Sequence, residues 1–227
     1  MNQPDPADHR SRVAAERRAR MREHLLLAGF RLAADRGLDG FTIDDVVSMA
    51  EVARGTFYKY FNTTAELVRE VAIELSQEVI LTVTQLFQGN EDPAERAAMA
   101  IRAVLAWVKR APLLGAFITR AGWPDAEPGH AFFRVVGPNV DVGIASGRFH
   151  LAHREIGLAL IGGLSVGAMQ SMATTSLPSD YPDLVAETLL VALGLSRDEA
   201  AHLARLPFTL PPPLPSGLIA RSLAPDI

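Results

Sequence analysis

The chain contains no cysteine. Disulfides, thiolate zinc sites and cysteine nucleophiles are therefore excluded, a small disulfide-stapled secreted scaffold is impossible, and a reducing compartment is permitted. The first residues, Met1-Asn2-Gln3-Pro4-Asp5, carry no apolar signal core, so a cytoplasmic protein is expected. No alternating strand pattern with hairpin turns and no repeat period is present. Equally missing are a glycine-rich phosphate loop and a Ser–His–Asp arrangement around an exposed-nucleophile turn. Gly162-Gly163-Leu164-Ser165-Val166-Gly167 lies inside an uncharged apolar stretch, where it cannot cradle phosphate. What the sequence does have is 48% hydrophobic and 21% charged residues over 227 positions. That balance can bury a core in one or two modest domains.

Net charge is −4, which taken alone argues against a polyanionic partner. The average conceals an asymmetry. Between Arg10 and Arg22 six arginines (Arg10, Arg12, Arg17, Arg18, Arg20, Arg22) face one Glu16, a local +5 that leaves −9 for the rest of the chain. A basic N-terminal patch on an acidic body fits one end meeting a polyanion, and it also fits a solvated arginine-rich helix face.

Apolar spacing at three and four residues predicts an all-α protein. Residues 1–12 read as a flexible, Pro- and Asp-rich tail, followed by a helix from Val13 to about Asp35 with Gly37 as C-cap. Thr42-Ile43-Asp44-Asp45 fits a capping box opening a short helix to Ala50. A second short helix is expected over Arg54–Tyr60, and a long one from Thr63 or Thr64 to about Gln88. Further helices follow from Pro93 to Lys109, from Pro112, over Ala131–Ser146 with a break or kink at Gly137-Pro138, and over Leu151–Ala173, Pro182–Leu193 and Arg197–Ala204. Residues 207–227 are expected as a Pro-rich tail, extended over 207–215. The uncharged run Ile156–Ser179 is long enough for a bilayer. Its second half is too polar for hydrocarbon, so no membrane association is expected. Gly163 and Gly167 let another helix approach closely, which points to a subunit interface or to close packing inside one chain.

The informative stretch is Phe41–Phe61. Two short helices joined by a tight turn form a helix-turn-helix, whose second helix can enter the DNA major groove. Ile43, Val46, Val47, Ala50, Val52, Phe57 and Phe61 would close a small core. Arg54, Thr56, Tyr58, Lys59 and Tyr60 then point outward beside Gly55, where the backbone can come close to a ligand. Packing alone would also suit Tyr58, and simple solvation Lys59.

The run Gly55-Thr56-Phe57-Tyr58-Lys59-Tyr60-Phe61, preceded by the Thr-capped helix and followed by Glu66-Leu67, closely resembles the signature of the tetracycline-repressor (TetR) family of bacterial transcriptional regulators. The resemblance covers roughly Ala14 to Val71. It implies a homodimer with an N-terminal three-helix DNA-binding domain, residues 13–62. It also implies a C-terminal helical domain, residues 63–206, that binds a small effector and dimerises through its last two long helices. Position by position, Thr42 would cap its helix and reach phosphate, Asp44 would occupy a base-facing site, and Arg54 would read a base edge. Thr56 and Tyr60 would touch phosphate, with Tyr58 and Lys59 over the groove. Three departures stand out: Glu51 replaces the usual glycine of the turn, Ala53 a serine, and Thr64 a lysine at a phosphate anchor. The Arg17, Arg18, Arg20 and Arg22 cluster could restore that charge.

A repressor released from a double-stranded DNA operator by a small apolar effector is the expected function, without cofactor or catalytic residues. A helical small-molecule-binding protein or an enzyme using the C-terminal pocket is the alternative. Trp107, Phe117, Trp123, Phe133, Met169 and Met172, with Arg120 for an anionic group, are the candidate lining of an effector pocket. His150 and His153 have the spacing of a metal pair but lack a third ligand, so no metal is expected.

Overall fold

The structure, a computed structural model, describes residues 6–121 and 131–224. Among these, eleven α-helices and one 3-10 turn occur without any strand. The chain divides after Ala72 into two compact units.

The first unit holds α1 (Pro6–Arg36), α2 (Ile43–Met49), α3 (Arg54–Phe57) and the beginning of α4 (Thr64–Thr84). Helix α1 starts at Pro6, seven residues before the expected Val13, so positions 6–12 are not the expected tail. Proline is tolerated in a first helical turn, where its missing N–H has no intrahelical partner to lose. The helix ends as expected at Gly37, whose φ of +90° is open to glycine at no steric cost. One face of α1 is dry, with Leu25, Phe30 and Ala33 fully buried. Val46, Phe57, Leu67 and Val71 from the other helices are equally inaccessible, which is the small core the apolar pattern requires.

The second unit contains the rest of α4, a 3-10 turn at Gln85–Phe87, and α5 (Pro93–Arg110), α6 (Pro112–Ala121), α7 (Ala131–Ala145), α8 (Arg154–Thr174), α9 (Tyr181–Ala192), α10 (Arg197–Leu203) and α11 (Leu218–Leu223). Helix α5 is central and packs against α6, α7, α8 and α9. Leu105, Val140, Leu189, Leu190 and Leu193 form its driest layer. Asp92 and Ser196 cap α5 and α10 through their side chains. Of the break or kink expected at Gly137-Pro138, a break does not occur: α7 continues through both residues. The proline forfeits one hydrogen bond, and packing on α5 and α8 evidently offsets the loss. Helix α8 is long and apolar enough to cross a membrane by composition, yet it packs against α5, α6, α7 and α9.

The C-terminal segment departs most from expectation. Arg102, 8% exposed, donates from Nε to Asp183 at 2.6 Å and from Nη1 to the Leu206 carbonyl at 2.7 Å. Its guanidinium lies 4.7 Å from the centre of the Phe208 ring, so the proline-rich segment is fastened at its start. The chain then forms α11, whose Leu218 and Ile219 are buried. The Ile219 N–H donates to Oε2 of buried Glu78 at 2.9 Å. Gly217 sits so close to the Glu78 carboxylate that any Cβ would overlap it.

Candidate nucleic-acid interface

The entry to α2 is fixed by local chemistry. The Thr42 hydroxyl accepts from the Asp45 N–H at 3.3 Å, while Asp45 accepts from the Thr42 N–H at 2.8 Å, closing the expected box. Hydrogen bonds from the Thr42 hydroxyl and backbone, and then from Arg36, hold the Asp45 carboxyl down at about 2. Asp45 remains ionised, and its charge also suits the positive end of the α2 dipole.

Helix α3 is shorter than the expected Arg54–Tyr60, because only Arg54–Phe57 is helical and residues 58–60 close as turns. Its N-cap, Ala53, makes no side-chain hydrogen bond. The preceding turn places Glu51 at φ 51°. A side chain in that left-handed region carries backbone strain that glycine would not.

Phe57 and Phe61 are buried, with ring centres 5.9 Å apart. Anchoring these rings turns Arg54, Gly55, Tyr58 and Lys59 outward, all exposed, with Thr56 and Tyr60 half-buried beside them. Space around Gly55 is open. Tyr58, half of whose surface is exposed, rests edge-on against Phe57. Thr64 is half-buried at the start of α4. The turn before it is fastened by Glu66, which accepts from the Asn62 N–H at 2.7 Å. That contact, followed by the Asn62 side-chain amide, pulls the Glu66 carboxyl below its ordinary range.

Sequence reasoning missed how the charges pair. Arg54 Nη1 donates to both carboxylate oxygens of Asp44, at 2.7 and 2.9 Å. Tyr58 and then Asp44 raise the Arg54 pKa above its ordinary value. Arg36 donates to Asp45 at 2.8 Å. Within the arginine-rich segment of α1, Arg17, Arg18 and Arg20 are exposed, whereas Arg22 pairs with Glu70 and is not a free phosphate contact. No local pattern links positions 44 and 54, and only the turn geometry brings them together.

The candidate effector residues scatter in environment. Trp107, Phe117 and Met169 are buried, Phe133 and Met172 half-buried, and Arg120 exposed. Trp123 lies outside the described residues. Met172 lines a cleft of about 150 Å³ with Lys109, Leu177 and Tyr181, and the other candidates do not line it. The Trp107 indole N–H is buried without a hydrogen-bond partner. His150 uses Nδ1 on the Gly194 carbonyl at 3.0 Å, and His153 precedes α8 as its N-cap residue. Among the described residues no group of three or more His, Asp or Glu could hold a metal ion.

Gly163 and Gly167 face outward on α8, with open space beyond Gly167. Ile156 on the same helix and Leu184 and Val191 on α9 are 44%, 39% and 37% exposed.

Comparison with known proteins matches residues 92–206 to the family described as "Tetracyclin repressor-like, C-terminal domain" and residues 25–71 to "Bacterial regulatory proteins, tetR family". An uncharacterised helix-turn-helix transcriptional regulator, YvdT of Bacillus subtilis (strain 168), is 33% identical over 70 residues, 31% of this chain and 36% of that protein. The repressor DhaR of a Mycobacterium species (strain GP1) is 27% identical over 79 residues, 35% of this chain and 40% of its own length. The chain thus aligns with well under two thirds of either relative. The crystal structure of RolR in complex with resorcinol is similar over 87% of this chain and 98% of that one, at 25% identity and a TM-score of 0.63. The fatty acid degradation regulator FadR of Bacillus halodurans shares the fold at 16% identity and a TM-score of 0.64, covering 76% of this chain and 94% of that one.

Proposed function

Because the chain belongs to the tetracycline-repressor (TetR) family of bacterial regulators, we propose that it is a cytoplasmic, ligand-responsive transcriptional regulator that binds a DNA operator through α2 and α3. The observation that carries this function is the division of labour in residues 54–61. Two buried phenylalanines anchor the turn, while a guanidinium, a glycine backbone, a phenol and an ammonium are left exposed on it. Those groups match base edges and phosphate oxygens, and Thr42, Thr56, Tyr60 and Thr64 supply further donors at the margin.

A single reading head covers only half of a palindromic site, and a two-fold dimer supplies the second. The apolar outer faces of α8 and α9, with Gly163 and Gly167 allowing close approach, support a dimer through those helices. Sedimentation at micromolar concentration should give a dimer, and Gly163→Glu should shift it to monomer. A dimeric Gly163→Glu variant would put the interface elsewhere.

The C-terminal unit is the proposed seat of a small apolar effector that weakens DNA binding, the protein acting as a repressor. The cleft lined by Lys109, Met172, Leu177 and Tyr181 supports a small ligand in this unit. Resorcinol, bound by RolR, is the natural first compound for a thermal-shift screen. The test is DNA affinity with and without any compound that raises the melting temperature. Linkage requires an effector that weakens DNA binding to bind the DNA complex more weakly by the same factor. Equal affinities would exclude an inducer.

A further inference from the structure

The Asp44–Arg54 pair is out of keeping with its surroundings. Asp44, 70% exposed at its side chain, and Arg54, 56% exposed, lie on the surface proposed to meet DNA. An exposed ion pair contributes little to stability, and the entry to α2 is already fixed by Asp45. A carboxylate facing phosphates is electrostatically unfavourable. Asp44 also sits in the first turn of α2, where its charge suits the helix dipole, but that placement does not require its pairing with Arg54.

The atoms involved suggest what does. A guanidinium has five donors on a rigid plane. Asp44 takes only Nη1, using both of its oxygens, and the neighbouring Tyr58 hydroxyl is the other group that bears on the guanidinium; the Nη2–Nε edge, which Asp44 does not touch, carries two parallel N–H vectors. That edge matches the O6 and N7 acceptors of a guanine in the major groove. Arginine on its own samples many rotamers, and ordering it at the moment of binding has an entropic cost. A partner that fixes the plane beforehand reduces that cost and also restricts which base the edge can meet.

Resting on the DNA-binding function above, we propose that Asp44 is a specificity-determining, positioning residue, holding Arg54 by Nη1 so that its remaining edge reads guanine. Asp44 then works against affinity in general and in favour of one sequence in particular. Removing it should strengthen binding to arbitrary DNA and weaken discrimination at the base pair that Arg54 reads.

The test uses the full chain and a duplex library carrying 30 randomised base pairs, selected with wild type, Asp44→Ala, Asp44→Asn, Arg54→Ala and the double alanine variant. Wild type should enrich a motif with one guanine preferred by roughly 5- to 150-fold, the range of one bidentate contact. Arg54→Ala should abolish that preference. Asp44→Ala should reduce it at the same position by less than Arg54→Ala does, and the double variant should lose no more than Arg54→Ala. Asp44→Asn retains an acceptor for Nη1 and should fall between. Anisotropy on a random duplex should show Asp44→Ala binding several-fold more tightly than wild type, an effect that loss of folding cannot produce. If Asp44→Ala selects the wild-type motif with undiminished preference, or loses preference at a different position from Arg54→Ala, the proposal is overturned. A wild-type protein that enriches no motif would instead overturn the DNA-binding function itself.

Discussion

The ion pairs around α2 and α3 and those at Arg102 and Arg148 are held in opposite ways. In the first set, Arg54–Asp44 and Arg36–Asp45 join residues ten and nine positions apart, with much of each side chain in water. In the second set, Arg102–Asp183 and Arg148–Asp92 span 81 and 56 positions with their arginines 10% and 27% exposed at the side chain. An exposed pair near water is readily exchanged for another partner, such as a base or a phosphate. A shielded pair that ties distant helices cannot be broken without leaving a charge stranded. The exposed pairs around α2 and α3 are thus available for recognition, whereas Arg102 and Arg148 tie distant segments of the second unit together, as Arg22 and Glu70 do within the first.

The sharpest way to break that contrast is Arg102→Ala. It strands Asp183, frees the Leu206 carbonyl and removes the seat of Phe208, so the second unit should lose about 3 kcal/mol or more in urea unfolding. A loss below about 1 kcal/mol would place Arg102 with the dispensable surface pairs.

A pH experiment sharpens the same comparison, because two carboxylates move in opposite directions. Burial, the dominant cause, pushes Glu78 above 4.5 despite the Ile219 N–H. The folded state therefore binds that proton more readily than the unfolded chain. Its stabilising contribution is complete below 4.5 and is lost as pH rises through the raised value. Glu78→Gln keeps an acceptor for Ile219 without the charge, and should be at least as stable as wild type at pH 7, with the advantage gone by pH 4. Asp45, held near 2, has the reverse sign. Its contribution is present above 3.8 and lost as pH falls through about 2, so Asp45→Asn should flatten the acid limb of the stability curve. Paired melts at pH 7, 4 and 2.5 would expose either sign as wrong. Least in size, Ala53→Ser should add about 0.5–1 kcal/mol to the first unit by supplying the cap that α3 lacks. No gain in melting temperature would mean that α3 is held by Phe57 and the turn alone.

The same division explains what could be read from sequence. Thr42 and Asp45 are three residues apart, and Phe57 and Phe61 four, so the capping box and the anchored turn are visible in the chain. The left-handed Glu51 follows from a turn that admits few shapes. Contacts that depend on tertiary closure are not written locally. Glu78 meets Ile219 from 141 positions away, and nothing in Ser216-Gly217-Leu218-Ile219 announces that a buried acid will accept its N–H. Helix α11 therefore lies inside what reads as a proline-rich tail. Helix α1 begins early for a simpler reason: its proline and acidic residues obscure a stretch that can still be helical. The Asp44–Arg54 pair lies between these cases, short in sequence yet visible only once the turn sets its angle.

Fluorescence anisotropy with duplex DNA from upstream of the protein's own coding region, against a scrambled duplex of equal length, tests the central claim most directly. Wild type should bind the upstream duplex more tightly, with affinity falling steeply as salt rises. Arg54→Ala should lose about 1–3 kcal/mol on that duplex and little on the scrambled one. Equal binding of both duplexes by wild type, or an equal loss on both by Arg54→Ala, would contradict sequence reading by α3.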